Sequence, residues 1–197
     1  MVRALLSGVF FAMALATPAS AIVLIERGNG HAELRGRFDV GDEKVFAEFL
    51  SRPRAQKLRV LWLSSPGGTV ISALAIGRQV RKAQLITAVD ANAAYCDSAC
   101  TLVFVAGARR HYVNGQGVME GQASLSGLGF HGSFQRGNAI NPAMRSERGT
   151  REMTQHYRAM GVPGAADLMQ RAAISTLYRP NGATAIRLRI ATSLGAP

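Results

Sequence analysis

The stretch from Leu58 to Thr69, LRVLWLSSPGGT, constrains the fold of this chain more than any other. Leu58 to Leu63 is rich in branched and aromatic residues and reads as a strand. It runs through Ser64-Ser65-Pro66-Gly67-Gly68 into Thr69 to Ala83, where Val70, Ala73, Leu74, Gly77 and Val80 share one helical face. Ile86 to Val89 follows as another short strand. Pro66 fixes its own φ, while Gly67 and Gly68 let the backbone turn with no Cβ in the way. Backbone N–H groups at such a helix start form a concavity suited to an anion. A turn needed only for packing would carry the same residues.

The same alternation continues on both sides. Ile22 to Ile25 reads as a buried strand, and the glycine-punctuated segment Gly28 to Gly36 as part of a strand pair. A turn from Gly36 to Asp42, with Asp42 as helix cap, leads into a helix over Glu43 to Leu50 that Pro53 ends. Tyr95 to Gly107 begins as a polar turn and becomes the helix Ala99 to Ala106. Asn114 to Gly137 is rich in Gly, Ser and Gln and reads as loop, with a hairpin around Leu125 to His131. Helical periodicity returns over Ile140 to Met160 and Gly164 to Leu177, and Ile186 to Ile190 (IRLRI) alternates like a strand. Strands alternating with helices over one domain imply an α/β fold with mostly parallel pairing. With 48% hydrophobic and 18% charged residues, 197 residues suffice for one packed core and exclude a disordered chain.

The first 21 residues stand apart from that domain. Arg3 precedes an apolar run from Ala4 to Ala16, followed by Pro18 and the small triplet Ala19-Ser20-Ala21. This pattern reads as a signal peptide cleaved after Ala21, or as an anchor that is never cut. We therefore expect a mature domain over residues 22–197, helical from about 139, in the periplasm or secreted. Export changes how Cys96 and Cys100 are read: either a disulfide, or two small buried thiols beneath the helix.

Cys96-Asp97-Ser98-Ala99-Cys100-Thr101 is the second motif with chemical content. Ser98 stands at the mouth of an apolar helix, as an N-cap or as a nucleophile presented on a turn beside the Ala99 N–H. The order S-P-G-G, strand, then C-x-S-A-C resembles the Clp protease/crotonase superfamily. It looks especially like a secreted, Clp-protease-like branch with an early G-x-x-x-x-G-D, here Gly36 to Asp42. The resemblance spans roughly residues 34 to 135. It implies a spiral of β-β-α units with a mostly parallel sheet and a homo-oligomer. By the same resemblance Ser98 is the nucleophile, and the Gly68 and Ala99 N–H groups form the oxyanion hole. His131, after Ser98 in Gly129-Phe130-His131-Gly132, is the base. His111 follows Arg109-Arg110, His156 lies on a helix face and His31 precedes both motifs. The triad acid falls to Asp167, otherwise a helix-capping residue, with Glu147 and Glu152 as alternatives or a Ser98–His131 dyad without an acid.

These residues imply a serine hydrolase, most simply a peptidase, acting on peptide or protein without metal or cofactor. The rival is a catalytically inactive Clp-like scaffold or binding module in the cell envelope. A crotonase-type acyl-CoA enzyme suits an exported protein poorly. The net charge of +11 gathers at Arg78, Arg81 and Lys82, at Arg109 and Arg110, and at Arg145, Arg148 and Arg151. No zinc-finger, helix-turn-helix or RNA-binding pattern accompanies it. Anionic envelope surfaces are the expected partner rather than nucleic acid, with a solvated basic face as the plainer reading.

Overall fold

The computed structural model describes residues 22–121, 125–135, 144–173 and 176–197. In chain order its elements begin with strands β1 (Ile22–Gly28) and β2 (His31–Gly36), helix α1 (Asp42–Ser51), β3 (Val60–Ser64) and α2 (Val70–Lys82). Next come β4 (Ile86–Asp90), β5 (Tyr95–Asp97), α3 (Cys100–Ala106), β6 (Arg110–Val113) and β7 (Gly127–Gly129). The short β8 (Phe134–Gln135) and β9 (Met144–Arg145) precede α4 (Glu147–Ala159), α5 (Gly164–Arg171) and α6 (Gly182–Arg187).

The main sheet has the order β1-β2-β3-β4-β6. Only the β1–β2 pair is antiparallel; β2–β3, β3–β4 and β4–β6 are parallel. Parallel neighbours need a crossover, and α1, α2 and α3 supply it. A second, smaller ladder runs beside the first. Phe38 bridges Gly68, Ser65 bridges Cys96, and β5 pairs with β7, all in parallel. Each strand of the main sheet from β2 to β4 is thus followed by a short stretch in the second ladder and then by a helix. That repeat is a β-β-α spiral.

Helix α3 is apolar except for Thr101, and every one of its residues is buried. It packs on α2 and α4. Gly77 of α2 permits the approach, because a methyl group there would meet Leu102 O at 3.0 Å and His156 Nε2 at 3.2 Å. Core side chains such as Leu61, Leu63, Phe46, Leu102 and Phe104 are inaccessible or nearly so. Each contributes about 1.5–3 kcal/mol by leaving water.

Several local expectations are corrected. Ile186 to Ile190 is not a strand: its first two residues end α6, which Asn181 caps by accepting a hydrogen bond from Thr184 N at 2.9 Å. That cap sets the helix going and overrides the alternating pattern. Segment 127–129 forms no local hairpin but pairs in parallel with the distant β5. Helix α5 ends at Arg171, short of Leu177. Helix α4 starts at Glu147, where Ser146 Oγ accepts from Gly149 N at 3.2 Å; residues 140–143 of the expected helix lie outside the described residues. Gly41, not Asp42, occupies the cap position of α1, and Asp42 accepts a hydrogen bond from Asp39 N at 2.7 Å. The expected leader also lies outside the described residues. Among these residues no helix is long and apolar enough to cross a membrane.

The positive charge is not all surface. Arg110 is buried and donates to the carbonyls of Gly107, Arg189 and Ile190 at 3.1, 3.0 and 2.9 Å. Burial, with Arg81 nearby, draws its pKa below the ordinary arginine value. Arg81 donates to Met160 Sδ and Val105 O, while Arg148 and Arg151 pair with Glu152 and Glu147. Part of the basic balance therefore satisfies carbonyls at chain turns.

Candidate active site

Ser98 occupies the junction between β5 and α3 with φ +54°, a left-handed conformation rare for a residue with a side chain. Its N–H donates to Gly129 O at 2.7 Å, and its carbonyl accepts from Thr101 N at 3.0 Å and Thr101 Oγ1 at 2.6 Å. Thr101 Oγ1 in turn lies 2.6 Å from the fully buried Tyr157 hydroxyl of α4. The Ser98 hydroxyl makes no hydrogen bond to the described residues. Held on both sides of its peptide, the half-buried residue stands on a sharp strand-to-helix turn.

The Pro-Gly-Gly turn is brought against it. Asp97 N donates to Ser65 O at 3.0 Å and Ser65 N to Tyr95 O at 2.8 Å, which aligns the two strand ends. A methyl group on Gly67 would lie 2.8 Å from Ser98 Cβ and 3.0 Å from Ala99 N. Gly68, at φ +139°, is pressed on its other side against Phe38, whose carbonyl would sit 2.2 Å from an added Cβ. Phe38 N donates to Gly67 O at 2.8 Å and Thr69 N to Phe38 O at 2.9 Å, so the turn is clamped from the far side. Gly67 N–H is spent on Ser65 Oγ at 3.1 Å. Among the described residues, the N–H groups of Gly68 and Ala99 have no acceptor. Backbone donors without acceptors are what an oxyanion site requires.

Cys96 and Cys100 form a disulfide with a Cα–Cα distance of 5.1 Å, and both residues are fully buried. The bridge spans Ser98 and Ala99. Asp97 between them is also buried and receives both terminal nitrogens of Arg179, at 2.7 and 3.0 Å. Burial pushes the Asp97 carboxyl up, and the Arg179 guanidinium opposes that shift. Sequence reasoning missed this pair, since Arg179 lies far along the chain in a stretch with no motif. Asp97, the one charged residue between Tyr95 and Ala106, was the available signal.

His131 is buried two residues beyond β7, with its ring 5.2 Å from that of Phe134. Ser98 is joined to the same strand through Gly129 O. Asp167 is exposed in the first turn of α5 and pairs with none of the described residues, so it does not orient the His131 ring. Glu147 and Glu152 are engaged by Arg151 and Arg148. The other histidines have structural partners: His31 Nδ1 accepts from Trp62 Nε1, His111 Nδ1 meets Gly195 O, and His156 Nε2 meets Leu102 O at 2.9 Å. Burial is the main cause that lowers the His156 pKa, so at pH 7 it is neutral and its Nε2–H donates to Leu102 O. Among the described residues no group of three or more His, Cys, Asp or Glu is placed to hold a metal ion.

A cleft of about 440 Å³ opens at Gly68 and is lined by Arg37, Val70, Ile71, Ser133, Phe134 and Arg148, among others. It leads from the surface to the Gly68 side of the turn.

No protein-family model matches the sequence, and no curated protein matches it. Solved structures match its fold. One is the 1510-N membrane-bound stomatin-specific protease in a serine-to-alanine variant, with a TM-score of 0.62 and 10% identity over 83% of this chain and 77% of that one. The same protease in a lysine-to-alanine variant, in complex with a substrate peptide, aligns with a TM-score of 0.59 and 10% identity, over 83% and 73% of the two chains. An enoyl-CoA hydratase from Geobacillus kaustophilus aligns with a TM-score of 0.52 and 11% identity, over 91% and 69%. At such identities the likeness concerns architecture alone. In architecture, this chain has the mixed α/β, mostly parallel Clp protease/crotonase-type fold.

Proposed function

We propose that the protein is an exported serine hydrolase, most simply a peptidase. In this reading Ser98 Oγ bonds to the substrate carbonyl carbon while its proton passes to His131. The carbonyl oxygen takes up negative charge between the Gly68 and Ala99 N–H groups. Collapse of that intermediate breaks the scissile bond; the proton on His131 goes to the leaving amine, and water then releases the acyl group by the same steps. The observation that carries the reading is the contact of the Pro-Gly-Gly turn with the Ser98 elbow, where the Gly68 and Ala99 N–H groups find no acceptor among the described residues. The chain has no lysine after Lys82, which favours an imidazole over an amine as the base after Ser98. The stomatin-specific protease of the same fold binds a substrate peptide, which favours a peptide here too. The leader-like first 21 residues and the Cys96–Cys100 disulfide support export to an oxidising compartment. Self-association is proposed with it, from the resemblance.

The test is reaction with a fluorophosphonate probe followed by peptide mapping. Covalent labelling of Ser98, lost in Ser98→Ala and on unfolding, is the expected result. An unlabelled, folded wild type would leave the second reading, an inactive scaffold. That reading is favoured by Asp167, which is exposed in the first turn of α5 and pairs with none of the described residues.

A further inference from the structure

Arg179 has almost no solvent access, at 1% exposure, yet it belongs to an irregular segment between α5 and α6. Its guanidinium reaches two neighbouring strands at once. NH1 donates to Asp97 Oδ1 at 2.7 Å and to Gly127 O at 3.3 Å, and NH2 donates to Asp97 Oδ2 at 3.0 Å. Asp97 ends β5 and immediately precedes Ser98, while Gly127 opens β7, which leads to His131. The segment is stitched to the residue that follows β7 by reciprocal backbone bonds between Phe130 and Tyr178, 2.9 and 2.8 Å long. Gly129 makes room for the pair: a methyl group there would lie 2.4 Å from Asp97 Oδ1 and 3.0 Å from Arg179 NH1.

Stability alone explains this arrangement poorly. A buried ion pair is often no better than an apolar packing of the same volume. Here the Arg179 Nε also finds no acceptor among the described residues, a cost that a purely structural contact would be expected to avoid. What the pair does accomplish is geometric. A planar, two-pronged guanidinium fixes the carboxylate in direction as well as distance. It thereby holds the residue before the proposed nucleophile against the strand that leads to His131.

We propose that Arg179 is a positioning residue, which through Asp97 and Gly127 O sets the spacing between the Ser98 turn and the strand leading to His131. The catalytic half of this inference rests on the serine-hydrolase reading above; the geometric half does not.

The experiment compares wild type with Arg179→Met, Arg179→Lys and the uncharged pair Asp97→Asn/Arg179→Gln, which avoids a lone buried charge if the first variant fails to fold. Amide hydrogen exchange is read at Ser98, whose N–H bonds Gly129 O, with the Val80 amide of α2 as internal reference. Fluorophosphonate inactivation is resolved into its maximal rate and its half-saturating concentration. We expect Ser98 exchange at least tenfold faster in Arg179→Met and in the double variant, with Val80 unchanged. The maximal inactivation rate should fall at least tenfold at constant half-saturation, with partial recovery in Arg179→Lys. Exchange and inactivation within twofold of wild type would overturn the proposal, as would acceleration shared equally by Val80. Should wild type itself resist the probe, the hydrolase reading fails, while the Ser98 exchange still decides whether Arg179 holds the turn.

Discussion

Gly67 meets Ser98 in a contact that no other residue type could make. A Cβ on Gly67 would lie 2.8 Å from Ser98 Cβ and 2.5 Å from the Asp97 carbonyl oxygen, and the glycine has φ +85°. Gly67→Ala therefore carries both a left-handed backbone penalty of about 1–2 kcal/mol and a clash with backbone that cannot swing away. We expect a melting temperature several degrees lower and at least tenfold slower fluorophosphonate labelling. Unchanged labelling would mean that the Pro-Gly-Gly turn does not shape the site.

Ser98 itself is held at φ +54°. Replacement by alanine removes the hydroxyl and keeps the backbone penalty, whereas glycine removes both. Both variants should be unreactive, with Ser98→Gly melting at or above Ser98→Ala, by an amount worth up to about 1 kcal/mol. Thermal unfolding of the two proteins side by side checks this; a clearly less stable glycine variant would speak against backbone strain at the elbow.

The Cys96–Cys100 bridge closes a very short loop, so chain entropy assigns it about 2 kcal/mol. Both sulfurs are buried. Reduction of the folded protein should be slow and should accelerate sharply in moderate denaturant. Cys96→Ser/Cys100→Ser should fold with lowered stability and with faster amide exchange at Ser98 and Ala99. Rapid reduction by dithiothreitol without denaturant would contradict the burial.

His156 gives the stability a pH dependence. Burial lowers its pKa in the folded protein below the ordinary histidine value of 6.5, aided by Arg78 and Arg81 and opposed by the hydrogen bond to Leu102 O. The unfolded chain then binds the proton more readily than the folded one, so this contribution is complete above about pH 6.5 and is lost as pH falls. Urea midpoints measured from pH 8 to 5 should decline, and His156→Gln should flatten that decline. A midpoint that rises on acidification would reverse the sign and refute the assignment.

Labelling and stability need not move together. Leu102→Ala, in the wholly buried α3, should cost about 2–5 kcal/mol and yet leave the Ser98 elbow chemically competent well below its lowered melting temperature. Probe kinetics at 10 °C provide the check.

The α/β class, the strand-to-helix turn at Gly67-Gly68 and the serine at the start of an apolar helix were legible because each rests on local signals. Branched residues in short runs, glycines where the chain must reverse and a 3.6-residue apolar period act over one or two turns of chain. The same locality misled at Ile186 to Ile190, where alternation resembles a strand but the Asn181 cap commits the chain to α6. It also misled at segment 127–129, whose partner is β5 rather than its own neighbour. Contacts between distant segments were invisible for the converse reason. Arg179 on Asp97, Tyr157 on Thr101 and Phe38 against Gly68 each join residues whose sequence neighbours say nothing of the partner. Residue pattern thus determined which pieces of the proposed site this chain carries. Only the close-packed tertiary structure, in which removing polar groups from water obliges them to find partners wherever the fold puts them, decided how those pieces are held.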